Sequence, residues 1–180
     1  MSAPAPVIVI DLQTGMFDGV AEPPIADAER LTQNAREVIA WARGSGRPVA
    51  FVRHDGAPGD SLAPGKPGWA VWPALGQVPG EPTFSKSVGD AFSNPALGQW
   101  VEAAGASGVI LLGAQSEMCV AETVKGALAR GLDVTVVADA HGTWPSGGDT
   151  AAEIIGRQNE AFAAAGAHVA PMAVLLSKEN

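Results

Sequence analysis

The sequence predicts an α/β fold: a Rossmann-like sandwich of three layers, with a parallel sheet between two layers of helices. Three observations carry this. Short apolar runs rich in Val and Ile alternate with segments whose apolar residues recur at helical spacing. The short runs are continuously apolar, the mark of parallel strands covered on both faces. Helix-capping or helix-stopping residues stand at most junctions between the two kinds of segment.

The elements follow in order. Val7-Ile8-Val9-Ile10 is a β-branched run that ends in Asp11. Asp27 is placed to cap a helix over 28–43, where Leu31, Ala35, Val38, Ile39 and Ala42 share one face and Gly44 is the stop. Pro48 to His54 reads as the second strand. Residues 55–82 are rich in Gly and Pro and contain Trp69 and Trp72. A loop of that length is functional or disordered, and two Trp favour an ordered, packed one. Thr83 to Lys86 is a short strand. Asn94 and Pro95 start a helix that Gly105 ends. Val109 to Leu112 is a buried strand. Cys119 to Arg130 is helical and closed by Gly131. Val134 to Val137 is a strand ending in Ala138-Asp139. Thr150 with Glu153 has capping-box spacing before a helix that Gly166 closes, and Ala167 to Ala170 is the last strand.

The 180 residues suit a single domain spanning 1–180. With 47% apolar and 17% charged residues the chain can bury a core and is no polyelectrolyte. Eleven Lys and Arg against 19 Asp and Glu give a net charge of −8, with no basic run, so neither nucleic acid nor an anionic membrane is expected as partner. No apolar run approaches the ~20 residues that span a bilayer, and Met1 to Pro6 has neither a basic start nor a long apolar stretch. A cytoplasmic location is the expectation. The single cysteine, Cys119, excludes an internal disulfide and a Cys-rich zinc site.

In open parallel sheets the site lies outside the carboxyl ends of the strands. The residues there are Asp11, His54, Lys86, Gly113 to Cys119, and Asp139 to Trp144. No Gly-x-Gly-x-x-Gly follows the first strand, and there is no phosphate loop, no Gly-x-Ser-x-Gly elbow and no His-Glu-x-x-His. Asp11, Lys86 and Cys119 do form a chemical set. Cys119 sits at the start of a helix, where free N–H groups favour a thiolate and can hold an oxyanion. A neighbouring Lys86 lowers the thiol pKa, and Asp11 can take its proton. Each residue alone also has a plain structural reading: a buried inert thiol, a turn aspartate, a solvated lysine.

Four elements in order change that balance. They are Val9-Ile10-Asp11-Leu12-Gln13 with Phe17; Lys86 with Ala91-Phe92 and Leu97; Gly113-Ala114-Gln115-Ser116-Glu117-Met118-Cys119-Val120 with Thr123 and Ala127; and Val137-Ala138-Asp139-Ala140. From Val7 to about Val169 the chain resembles the isochorismatase-like cysteine hydrolases, which include nicotinamidases, carbamoylsarcosine amidases and streptothricin hydrolase. The resemblance implies a six-stranded parallel sheet and an Asp11–Lys86–Cys119 triad. It also implies a cis peptide between Ala114 and Gln115, with the N–H groups of Gln115 and Cys119 as the oxyanion hole. Such proteins tend to form homodimers or homotetramers, and no cofactor is implied.

Departures from the family pattern are informative. Ser93 and Asn94 stand where many members have a small residue and Thr. Nicotinamidases carry Asp-x-His and a later His for a metal. Val52-Arg53-His54 lacks that Asp, and the only other histidines are His141 and His168, so no metal is expected. Members that cleave isochorismate often lack the cysteine, because acid catalysis on a vinyl ether needs no nucleophile. Retention of Cys119 favours hydrolysis of a C–N bond in a small non-peptide amide, lactam or carbamoyl compound. Two alternatives stay open: a vinyl-ether hydrolase with Asp11 as the acid, and a non-catalytic binding protein of the same fold. Phe17, Trp69, Trp72, Met118 and Trp144 are candidate pocket walls for a small-molecule substrate, with loop packing the alternative for the tryptophans. Gln13 either bonds within the site or ties its loop, and His141 is placed to reach the pocket rim. His54 reads as a hydrogen-bonded turn residue.

Overall fold

The computed structural model describes residues 3–177. Met1 and Ser2, part of the start read above as lacking a leader pattern, lie outside the described residues. Six strands form one all-parallel sheet in the order β3-β2-β1-β4-β5-β6. They are β1 (Val7–Ile10), β2 (Val49–His54), β3 (Thr83–Lys86), β4 (Gly108–Ala114), β5 (Asp133–Gly142) and β6 (His168–Ala170). The helices are α1 (Ala28–Gly44), α2 (Pro95–Ala103), α3 (Ala121–Ala129), α4 (Ala151–Ala164) and α5 (Met172–Ser177).

The pleat of β1 explains the layers. Val7 and Val9 face one core with Leu31, Val38 and Ile39 of α1 and Leu175 of α5. Ile8 and Ile10 face the other, with Leu97 and Val101 of α2, Val124 of α3 and Phe162 of α4. Both faces are sealed, so alternation with polar residues would place unpaired polar groups in a core. No helix among the described residues is long and apolar enough to cross a membrane.

Local rules fix most boundaries. The Asn94 side chain caps α2 by accepting from the Ala96 N–H, and Thr150 and Glu153 form the reciprocal capping box on α4. Asp27 behaves differently from the expected cap. Its backbone is left-handed and its carboxylate pairs with Arg30 at 2.7 Å instead of bonding the helix N–H groups. Helix α5 is an addition to the sequence reading; it follows Pro171 and is too short to show a period. Residues 55–82 are ordered around two short 3-10 turns, Pro67–Trp69 and Pro73–Leu75.

The strand order reverses between β1 and β4, so Asp11 and the segment after Ala114 meet at the topological switch point. Gly113 makes this meeting possible. Its φ is +139°, and a Cβ there would collide with the Ile10 carbonyl. Strand β5 runs past its expected end at Asp139, because Gly113 and Ala114 of β4 pair again with His141 and Gly142 beyond a register shift.

Candidate active site

Asp11 follows β1 directly with φ +51°, a left-handed conformation that aspartate tolerates better than most residues. Its N–H donates to the Val52 carbonyl at 3.0 Å and its carbonyl accepts from the Gln13 N–H at 2.9 Å, which hold that turn. The side chain is fully buried. Lys86, at the end of β3 two strands away, brings its ammonium to 2.7 Å from Asp11 Oδ2. The same Nζ lies 3.3 Å from Cys119 Sγ and 3.3 Å from His54 Nδ1. An ammonium has three donors, and all three are used.

Cys119 lies within a π-helical turn, Ser116–Val120, that precedes α3; the sequence placed it at the first residue of that helix. The Val120 N–H reaches back five residues to the Gln115 carbonyl at 3.1 Å, which widens the turn. The Ala114–Gln115 peptide is cis. The Gln115 N–H has no backbone acceptor among the described residues.

Burial dominates the electrostatics. Desolvation raises the Asp11 carboxyl above its usual range, and the Lys86 charge opposes this only in part. Burial, and then the Asp11 charge, push the Cys119 thiol up to about 12 against the pull of Lys86. This corrects the expectation of a depressed thiol pKa. The lysine charge is already shared with a nearer carboxylate, so its pull on the sulfur does not offset burial and the Asp11 charge.

These groups line a cavity of about 270 Å³, with Met118 and Trp144 on its wall. Trp144 donates from Nε1 to the Pro23 carbonyl at 2.8 Å, which ties two loops across the mouth. A model of the isochorismatase domain matches residues 5–170. The chain belongs to the isochorismatase family. Two streptothricin hydrolases of Streptomyces noursei are 36% and 35% identical over 138 residues, 77% of this chain. The chain spans about half the length of these curated relatives, 49% and 54%. An isochorismatase from Pseudomonas putida KT2440 superposes with a TM-score of 0.86 at 30% identity, over 94% of this chain and 89% of that one. A cysteine hydrolase from Pseudomonas syringae pv. phaseolicola 1448A shares the fold, with a TM-score of 0.84 at 18% identity over 98% and 95% of the two chains.

Within this isochorismatase-family site, several expected pocket residues lie elsewhere. Phe17 and Trp72 stack on one another, centroids 5.1 Å apart, and face a separate groove along α1. Trp69 donates from Nε1 to Asp55 at 2.8 Å and its face is covered by the Arg53 guanidinium at 3.6 Å. Gln13 is fully buried behind the cavity. Its Oε1 accepts from the His54 N–H at 2.8 Å, and its Nε2 donates to the carbonyls of His54 (3.1 Å) and Trp69 (3.0 Å). Gln13 thus positions β2 and the following loop. His141 does not reach the pocket rim. Its Nδ1 lies 2.8 Å from Ser116 Oγ and its Nε2 2.9 Å from Asn159 Oδ1, with burial holding its pKa below the ordinary value. It braces the π turn from behind. Glu117 points to Thr143, 2.8 Å from its hydroxyl.

The cavity wall also holds His54, placed at a strand end by the sequence but read as a hydrogen-bonded turn residue, and Glu22, Asp60, Ser61 and Leu62, which sequence reasoning did not single out. For His54 a signal existed, since it ends a strand. Glu22 and Asp60 sit in loops and had none. The donor atoms of Asp11, His54 and Cys119 lie within 4.8 Å of one another, a spacing that suits a metal. The Lys86 ammonium stands within 3.3 Å of all three, so the cation of this cluster is the protein's own and the set does not fit a metal ion.

Proposed function

We propose that the chain hydrolyses a C–N bond in a small non-peptide amide, lactam or carbamoyl compound, through Asp11, Lys86 and Cys119. The observation that carries this reading is a thiol and a buried carboxylate together on the cavity wall, with one buried ammonium in contact with both. The names of the streptothricin hydrolase relatives point the same way.

Burial and the Asp11 charge oppose ionisation of the thiol ahead of the reaction, so proton transfer is coupled to attack. Cys119 Sγ forms a bond to the substrate carbonyl carbon as its proton passes to Asp11, and the carbonyl π pair moves onto oxygen. Asp11 Oδ1, which has no other partner among the described residues, is the accepting atom. The N–H groups of Gln115 and Cys119 hold the oxyanion. The intermediate collapses with cleavage of the C–N bond, and protonated Asp11 delivers its proton to the leaving nitrogen. Asp11 then takes a proton from water as it attacks the thioester, and the thiol is restored. Lys86 keeps Asp11 ionised despite burial and balances the charge through each step. A carboxyl raised by burial suits an atom that must both take and return a proton.

The test is turnover followed by mass spectrometry on nicotinamide, carbamoyl amino acids, ureido acids, a streptothricin-type lactam and isochorismate, with Cys119→Ala in parallel. Loss of a C–N compound that needs the cysteine is the expected result. Loss of isochorismate alone, unchanged in Cys119→Ala, would move the protein to vinyl-ether hydrolysis.

A further inference from the structure

The charges on the cavity wall are unbalanced. Three carboxylates line it: Asp11, Glu22 and Asp60. Asp11 has Lys86 as its partner. Neither Glu22 nor Asp60 forms an ion pair among the described residues. No Lys or Arg lines the cavity, and Lys86 is fully buried with its three donors committed. Arg53, the other cation near β2, lies flat on Trp69.

Asp60 is seated, not merely present. Its Oδ1 accepts from the Leu62 N–H at 2.7 Å, and its own N–H bonds the Ala57 carbonyl at 2.9 Å. Its carboxyl carbon fills the space where Gly56 lacks a side chain; a Cβ there would come within 2.9 Å of it. Oδ2 is left without a protein partner among the described residues. Glu22 lies one residue before Pro23, whose carbonyl is pinned by Trp144. Trp144 is on the same wall, and an indole is a ring that cations favour. The Asp11 charge on the floor is paired with Lys86, so the unpaired charge of the wall is that of Glu22 and Asp60.

We propose that this cavity selects substrates bearing a positive charge: an alkylammonium or guanidinium group faces Asp60 and Glu22 while the scissile carbonyl lies at Cys119. The substrate class rests on the hydrolase reading above; the charge preference is a property of the cavity itself. A dicarboxylate such as isochorismate would meet like charges here.

The test does not need turnover. Cys119 is the only cysteine, so its alkylation is read cleanly by intact mass. Three haloacetamides of matched size carry a trimethylammonium, a neutral tert-butyl or a carboxylate group. Rates at pH 8.5 are normalised to those of N-acetylcysteine amide. The cationic reagent should react about tenfold faster than the neutral one at low ionic strength, and the anionic one slower than both. The preference should shrink in 0.5 M NaCl and fall towards unity in Glu22→Gln/Asp60→Asn, whose Asn side chain can still accept from Leu62. Removing two exposed carboxylates elsewhere, Glu102→Gln/Glu160→Gln, should leave the ratio in place. Equal normalised rates for the three reagents in the wild type would overturn the proposal. So would a preference that survives Glu22→Gln/Asp60→Asn, or one that Glu102→Gln/Glu160→Gln removes equally. Failure of the hydrolase reading appears separately, as no cysteine-dependent turnover on the panel.

Discussion

Replacing Lys86 by Met removes the one Lys or Arg, among the described residues, in contact with Asp11, Cys119 and His54. Both side chains of the Lys86–Asp11 pair have no exposure, so the carboxylate left behind cannot be rescued by water. Breaking one side of a buried pair costs roughly 3–5 kcal/mol. In a domain of this size that is a fall in Tm of about 10 °C. The loss is pH-dependent, and its sign can be worked out. Asp11 already has a raised pKa in the folded protein, and removing Lys86 raises it further. A carboxyl raised on folding contributes stability below its unfolded pKa, and that contribution is lost as pH climbs through the folded value. The variant should therefore lie nearest the wild type at pH 4–5 and fall behind as pH rises to 8. Urea unfolding at pH 5 and pH 8 reads the difference, with Asp11→Asn and the double variant completing a cycle. Asn keeps the left-handed backbone at φ +51°, so charge is isolated from strain. The double variant should cost less than the two single ones summed. A Lys86→Met penalty below about 1 kcal/mol at pH 8, or one that is constant with pH, would refute the reasoning.

Asp11→Asn should also separate two properties of Cys119. Alkylation by iodoacetamide at pH 7.5 should quicken, because the Asp11 charge helps hold the thiol near 12, while cysteine-dependent turnover falls about 10²-fold or more; slower alkylation would contradict the electrostatic account. His141→Ala leaves the Ser116 hydroxyl and the Asn159 carbonyl without their buried partner. It should cost about 2–3 kcal/mol in urea unfolding, and a change under 0.5 kcal/mol would remove its bracing role. Gly113→Ala should yield no folded protein by circular dichroism, since its Cβ meets the Ile10 carbonyl. Gly156→Ala, in α4 with nothing within 4 Å, should raise stability by about 0.5–1 kcal/mol.

The strands were legible because apolar runs are long enough to betray two-sided burial, and α2 and α4 because Asn94, Pro95, Thr150 and Glu153 mark their starts. Asp11, Lys86 and Cys119 were legible because strand ends in a doubly wound sheet converge and the motif after β4 is dense. The pocket wall was not. Phe17 and Trp72 satisfy each other, and Trp69 has Asp55 and Arg53, so aromatic character gave no sign of which ring faces the cavity. His54 was misread because its partner is a lysine 32 residues away in sequence. The thiol pKa was misjudged because burial depth and the nearness of Asp11 are tertiary facts. Asp27 has a capping residue's identity without its backbone geometry.

The Asp11–Lys86–Cys119 cluster and the cavity wall stand on different foundations. Asp11 and Lys86 adjoin or end strands, and Cys119 sits on a turn wedged against the sheet by His141. Glu22, Asp60, Ser61, Leu62 and Trp144 come from three loops that carry no strand pairing among the six strands. The loop after β2 is tied back at its two ends, by the Asp55 N–H on the Lys86 carbonyl, the Trp72 N–H on the Leu12 carbonyl, the Thr14 N–H on the Ala70 carbonyl and the Gln13 side chain on the Trp69 carbonyl. Substitutions in residues 57–64 can thus redraw what the cavity admits while Asp11, Lys86 and Cys119 stay in register. A scaffold divided this way lets the selectivity of the cavity drift, under selection or by design, at little risk to the buried cluster beneath it.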